Sequence, residues 1–192
     1  MKGLKIAVSG AHSTGKTNFL TKVAERIRSK GISYSLVTDL AIRCPLPILR
    51  KHTVESTLWI VTTGIAEEIV AAYKADVVLV DRPILDAWAY LMAVLPNKST
   101  VISTPQFKTL ENTIRNWIHT YTLIYKARID ESIPIEDNKA RDLDLSYRLE
   151  IEQQMELTYQ MFGVQLKVLT AANALQEMEW LVNYLETNIK LR

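Results

Sequence analysis

The chain has 192 residues, 48% hydrophobic and 23% charged, enough for one domain with a full apolar core. A formal net charge of +2 gives no ground for a nucleic-acid or membrane partner. A single cysteine, Cys44, excludes an internal disulfide framework. The lone cysteine suits a reducing cytoplasm, where the protein is expected, and no apolar run approaches the roughly 18 residues of a spanning helix.

The opening stretch MKGLKIAVSG lacks the features of a secretion signal and reads as a first strand, Lys5 to Val8. From Thr17, the residues Phe19, Leu20, Val23, Ala24 and Ile27 recur at helical spacing, with Gly31 as the stop. SYSLVT, residues 33–38, predicts a second strand, and Pro45 and Pro47 impose an irregular stretch after it. Val54, Leu58, Val61, Ile65 and Ile69 predict a long helix, and DVVLVD, residues 76–81, a strand buried on both faces. Ile84 to Leu95 predicts another helix, closed by Pro96, and Phe107 to Trp117 the next. YTLIYK, residues 121–126, predicts a fourth strand. Residues 127–144 are charged and aperiodic and read as a loop or lid. A helix over 145–162, the strand VQLKVL and a final helix carrying Leu175, Met178, Val182, Leu185 and Ile189 complete the chain. Strands alternating with helices predict a three-layer α/β fold, a parallel five-stranded sheet covered on both faces.

GAHSTGKT occupies Gly10 to Thr17, between the first strand and the first helix. It meets the pattern G-x-x-x-x-G-K-[ST] through Gly10, Gly15, Lys16 and Thr17. Glycines let the backbone turn so that its N–H groups face a phosphate, and the helix starting at Lys16 adds its positive end. Lys16 then reaches the β- and γ-phosphates, and the Thr17 hydroxyl takes a place on Mg²⁺. Ala11, His12, Ser13 and Thr14 fill the free positions and complete the expected ATP cradle. Average composition yields such a match in roughly 1% of chains of this length, and the required strand and helix flank it.

A phosphate cradle needs a second acidic group near the metal, at the end of a neighbouring buried strand. Asp81 ends VVLV and fits; capping the next helix is its other reading. Motor ATPases follow this aspartate with a glutamate that positions water. Here Arg82 follows, a side chain suited to holding phosphate. The N-K-x-D signature of GTPases is absent, since NKST and NKAR both lack the last aspartate.

The cradle, VDRPILDAWAYL and the charged late segment resemble the P-loop nucleoside and nucleotide kinases. Within that group the chain is similar to small bacterial and phage ATP-binding proteins of AAA type. Their patterns T-E-x-x-R-x-C-P-x-P, T-V-E-x-x-x-W-I, D-R-S-x-x-D and D-G-x-R-x-x-D appear here in order as TDLAIRCPLP, TVESTLWI, DRPILD and DNKARDLD. Three positions depart: Asp39 stands for a glutamate, Pro83 for a serine and Asn138 for the lid glycine.

The resemblance implies a Mg²⁺-requiring kinase that moves a phosphoryl group from ATP to a nucleoside, nucleotide or similar small metabolite. It makes Asp39, at the carboxyl end of the second strand, the general base for the acceptor hydroxyl, with Asp81 the other candidate and a turn cap the bland reading. It makes Arg82 and Arg141 stabilisers of the transferred group, with Arg128 a further lid arginine. Glu55 matches the family T-V-E, with a helix-terminus charge as its other reading. From spacing alone, Arg43 could pair with Asp39 or grip an acceptor phosphate, and Arg148, seven residues from Arg141, could share its face as a further substrate contact; a plain surface charge is the alternative for each. Trp59 and Trp88 are expected in the core, and Cys44 as a small buried side chain. Residues 1–192 form one kinase-like domain with a lid over 127–144, and the family implies a homodimer. An ATP-binding switch or slow ATPase acting on a protein partner is the alternative; a nucleic-acid 5′-end kinase lacks the basic groove it would need.

Overall fold

A computed structural model describes residues 3–11, 14–95, 102–129 and 144–190. β1 (Leu4–Ser9) is buried along its whole length, as a strand covered on both faces must be. It lies at the centre of a sheet in the order β2-β3-β1-β4-β5, with β2 at Tyr34–Val37, β3 at Val77–Asp81, β4 at Leu123–Ala127 and β5 at Lys167–Leu169. Every pairing is parallel. Ala7 faces Val80 and Val8 faces Asp81 across the β1–β3 ladder, and Ser9 faces Lys126 across β1–β4.

The alternation of side chains along a strand divides the core in two. Ile6, Val8, Leu79 and Tyr125 point to the face covered by α1 (Lys16–Ser29) and a helix at Ala174–Lys190, numbered α7. Ala7, Val78, Val80 and Ile124 point to the other, covered by α3 (Val54–Lys74), α4 (Ile84–Val94), α5 (Pro105–Trp117) and α6 (Leu145–Met161). The expected α/β architecture is the one observed.

Local chemistry sets the helix starts. Thr53 and Ser56 form a reciprocal capping box at α3, with Ser56 N–H donating to Thr53 Oγ1 at 3.2 Å and Thr53 N–H to Ser56 Oγ at 2.9 Å. Thr104 precedes Pro105 at α5 and accepts from Phe107 N–H at 3.3 Å. Asp144 caps α6 by accepting from Ser146 N–H at 2.8 Å.

Two details differ from the periodicity. The irregular stretch after β2 contains a one-turn helix, α2 (Leu40–Arg43), and a 3₁₀ turn at Leu49–Lys51. The fifth strand is half the expected length, Lys167–Leu169. Trp88 is a core residue, 1% exposed, packed 4.6 Å from Phe107 and 5.4 Å from Phe162. Trp59 and Cys44 are half-buried against the same core.

A polar hub lies beneath the α3 face of the sheet. The buried carboxylate of Glu68 accepts from Lys5 Nζ at 2.9 Å, Trp117 Nε1 at 2.7 Å and the Tyr121 hydroxyl at 2.6 Å. Lys5 also reaches Thr120 and sits over the Trp117 ring. Each charge in the hub has a partner, the condition for burying one without a large penalty.

Candidate active site at the carboxyl edge of the sheet

β1 ends at Ser9 and the chain turns at once. Gly10 has φ 146° and Gly15 has φ 78°, both in the region that favours glycine. At Gly10 a second reason applies: a Cβ there would stand 2.7 Å from the Ala127 carbonyl oxygen, at the end of β4. At Gly15 nothing lies within 4 Å and the left-handed torsion is the sole reason for glycine. α1 then starts at Lys16, so its free N–H groups face the turn. His12 and Ser13 lie outside the described residues.

Lys16 folds back into the turn, 5% exposed. Its Nζ donates to the Ala11 carbonyl at 2.5 Å and to Thr14 Oγ1 at 3.1 Å. Burial, followed by the Arg82 charge, pushes its pKa well below the ordinary lysine value. An anion in the turn would favour the charged form.

Thr17 and Asp81, 64 residues apart in sequence, meet directly. The Thr17 hydroxyl donates to Asp81 Oδ2 at 2.6 Å. Pro83, not Asp81, is the capping residue of α4, so the helix-cap reading of Asp81 does not hold. The two groups offer oxygen donors, and no cluster of three or more His, Cys, Asp or Glu side chains able to hold a metal occurs among the described residues. That sparse oxygen set fits Mg²⁺, which takes one or two protein groups and completes its shell with water and phosphate oxygens.

Arg82 follows with φ 76°, a strained backbone for a residue with a side chain. Its N–H continues the β1–β3 ladder to Val8 O at 3.1 Å. The guanidinium donates to the Gly10 carbonyl at 2.8 Å and packs 5.4 Å from the Tyr90 ring centre. It is thereby held at the lip of the cradle.

Asp86 is the residue that motif reading left without a role, although it is the last letter of DRPILD. It is 1% exposed. Oδ1 accepts from Ser9 Oγ at 2.6 Å and from the Tyr159 hydroxyl at 3.0 Å. Oδ2 accepts from Gly10 N–H at 3.3 Å and lies 3.6 Å from Arg82 Nη1. Burial raises the Asp86 pKa, while Arg82 and the Ser9 bond oppose the rise. The carboxylate thus ties β1, the cradle, Arg82 and α6 together. Spacing alone could have found its pairing with Arg82 at i,i+4, but not its bonds to Ser9 and Tyr159.

The other sequence candidates distribute unevenly. Asp39 sits just beyond β2 with φ 59°, makes no side-chain cap to α2, is exposed and accepts from Thr38 Oγ1 at 3.2 Å. The turn-cap reading is not realised. Arg43 pairs with Glu67 at 2.7 and 2.8 Å and reaches the Thr38 carbonyl at 3.0 Å. Glu55 is exposed in the first turn of α3. Arg128 bonds to Glu156 and lies 3.4 Å from Glu152, which also pairs with the buried Lys126. Arg148, in the first turn of α6, is 2% exposed, and its Nε and Nη2 have no hydrogen-bond partner. Arg141 and most of the 127–144 segment lie outside the described residues. No helix among the described residues is long and apolar enough to cross a membrane.

The glycine turn ahead of α1, the Thr17–Asp81 pair and the five-stranded parallel order define a P-loop α/β fold. A family model described as an AAA domain matches residues 5–176, and the chain belongs to that family. Among solved structures, a deoxyadenosine kinase from M. mycoides with dCMP and dCDP bound is similar over 96% of this chain and 100% of that one, at 14% identity and a TM-score of 0.66. Thymidylate kinase from Candida albicans matches over 97% and 92%, at 13% identity and TM-score 0.60. A NadR protein in complex with NR matches over 88% of this chain and 44% of its own length, at 18% identity and TM-score 0.63. These likenesses are of fold. No curated protein matches the chain.

Proposed function

We propose that this protein is a Mg²⁺-dependent kinase that transfers the γ-phosphoryl group of ATP to a nucleoside, a nucleotide or a similar small metabolite. The observation that carries the reading is the 2.6 Å Thr17–Asp81 contact beside a glycine cradle that holds Lys16, with Arg82 fixed on Gly10 O.

The cradle N–H groups and Lys16 bind the β- and γ-phosphates. Thr17 and Asp81 would hold Mg²⁺, whose charge offsets that of the phosphates when it is bound. Arg82 gains its full effect as negative charge spreads over the moving group. Asp39, strained and exposed beyond β2, takes the proton of a hydroxyl acceptor. Arg43, Glu55 and Arg148 line the acceptor side, and Arg141 acts from a lid over 127–144. The absence of a glutamate after Asp81 favours transfer to an acceptor over plain hydrolysis. A cytoplasmic homodimer of single-domain subunits is part of the same proposal.

The test is transfer of label from γ-labelled ATP across nucleosides, nucleoside monophosphates and ribosylnicotinamide, with Lys16→Ala as control. A labelled product that vanishes in the control supports the kinase and names its acceptor. ATP binding with no labelled product across the panel moves the reading to a nucleotide-dependent switch.

A further inference from the structure

The Glu68 hub buries charge with every partner in place. At the start of α6 one charge is buried with two of its donors unmatched. Arg148 is 2% exposed, and neither Nε–H nor Nη2–H has an acceptor. A guanidinium keeps its proton in proteins. Unpaired and desolvated, it is among the costlier groups a fold can hold. The two unmatched donors lie on one edge of the planar group, the edge that grips two oxygens of a carboxylate or phosphate side by side.

The position of Arg148 is fixed by its helix. Arg148, Met155 and Tyr159 recur at i, i+7 and i+11 and share one face of α6. Met155 Sδ accepts from Ser9 Oγ at 3.9 Å, and Tyr159 reaches Asp86. Arg148 therefore stands about 10 Å along the helix axis from the residue that touches the end of β1 (seven residues at ~1.5 Å each). Its neighbour Tyr147 lies under Arg50, 4.4 Å from ring centre to guanidinium carbon, and Arg50 also pairs with Asp144 at 2.7 Å. The start of α6 is thus fastened to the 3₁₀ turn that follows β2, the segment in which Asp39 and Arg43 also fall.

A second buried polar side chain without partners flanks the same turn. His52 is 8% exposed, neither ring nitrogen is bonded, and its ring lies 6.4 Å from Tyr90, which in turn faces Arg82. Two buried side chains short of partners thus border the segment after β2, while Lys16 and Arg82 serve the cradle.

We infer that the phosphoryl acceptor is an anion, and that the Nε–Nη2 edge of Arg148 binds two oxygens of its phosphate or carboxylate group. His52 then supplies one donor or one acceptor to a neutral part of the same molecule. The inference rests on the phosphoryl-transfer reading for the word acceptor, but its test needs no turnover.

Equilibrium binding and melting temperature are measured for the full chain with matched probes. These are the common nucleosides, their 5′-monophosphates, and orotidine against uridine for a carboxylate. Wild type, Arg148→Met and Arg148→Lys are compared, with ATP titrated separately. The expected result is that at least one anionic probe binds at least tenfold tighter than its neutral counterpart. That preference disappears in Arg148→Met and is only partly kept in Arg148→Lys, while ATP affinity stays within twofold. The unliganded Arg148→Met protein melts at or above wild type, because an unpaired buried charge has been removed. Preference for phosphate over orotidine, or the reverse, says which oxygen group the site takes.

The inference is overturned by equal binding of neutral and anionic probes, by no binding of any anionic probe, or by an equal loss of ATP affinity in Arg148→Met. A marked drop in the melting temperature of unliganded Arg148→Met also overturns it, since that would give Arg148 a structural partner. Absence of phosphoryl transfer alongside anion-specific binding sinks the kinase reading and leaves the Arg148 site standing.

Discussion

The Thr17 hydroxyl donates to the Asp81 carboxylate at 2.6 Å, joining the first turn of α1 to the end of β3. Two oxygen groups this close can share one small cation with little movement. Asp81→Asn preserves size and an acceptor oxygen but halves the claim on a cation. We expect folding to be unchanged, the Mg²⁺ concentration for half-maximal transfer to rise at least tenfold, and turnover at saturating metal to fall about a hundredfold. A Mg²⁺ titration of transfer checks this; an unchanged metal dependence would remove Asp81 from the metal site.

Lys16 is buried against carbonyl and hydroxyl oxygens, and burial depresses its pKa. The empty fold gains little from a charge held under those conditions. Lys16→Ala should therefore melt no lower than wild type while losing about a hundred- to a thousandfold in transfer. Paired melting and activity measurements separate the two effects, and a parallel loss of both would mean that the lysine is structural.

Asp86 accepts from Ser9, Gly10 and Tyr159 and faces Arg82. Asp86→Ala strands these donors in a buried site and should cost about 3–5 kcal/mol in unfolding free energy. Asp86→Asn should cost less, because its amide oxygen still accepts. Urea denaturation of the two variants gives the ordering; equal losses would show that volume, not the acceptor, is what position 86 supplies.

His52 is held neutral by burial, which lowers its pKa from 6.5 to about 4. The unfolded chain takes up this proton near pH 6.5, the folded chain only near pH 4. The contribution is thus complete above pH 6.5 and is lost as the pH falls toward 4, on the order of 3 kcal/mol in all. His52→Leu should flatten the stability profile across that window. Denaturation curves at half-unit intervals from pH 7.5 to 4.5 decide it, and parallel profiles for the two proteins would contradict it.

The strands and long helices were legible because their signals are local. DVVLVD is apolar without interruption, and the cradle carries its own glycines. α2 and the 3₁₀ turn were not, since four and three residues complete no period and two prolines obscure the rest. Within the site, Thr17 and Asp81 could be named from motif and strand end, and the structure joins them. Arg43 could not be placed, because its partner Glu67 is one of three carboxylates on α3 and nothing in the spacing singles it out. Asp86 closes a quoted motif and Arg148 was named as an acceptor contact, yet what distinguishes them is which groups from distant elements surround them. Spacing cannot report that one has four neighbours and the other is short of two.

The two glycines of the cradle differ in what a change would meet. A side chain at position 10 runs into the backbone of β4, 2.7 Å away, whatever the ligand. A side chain at position 15 meets open space and only a left-handed torsion, which asparagine tolerates best among the rest. A saturation library scored for folding alone should return asparagine at 15 and nothing but glycine at 10. Scoring the same library for nucleotide turnover should then reveal what position 15 owes to the phosphate. At position 10 the packing requirement would hide any such debt, and conservation there would carry no information about chemistry.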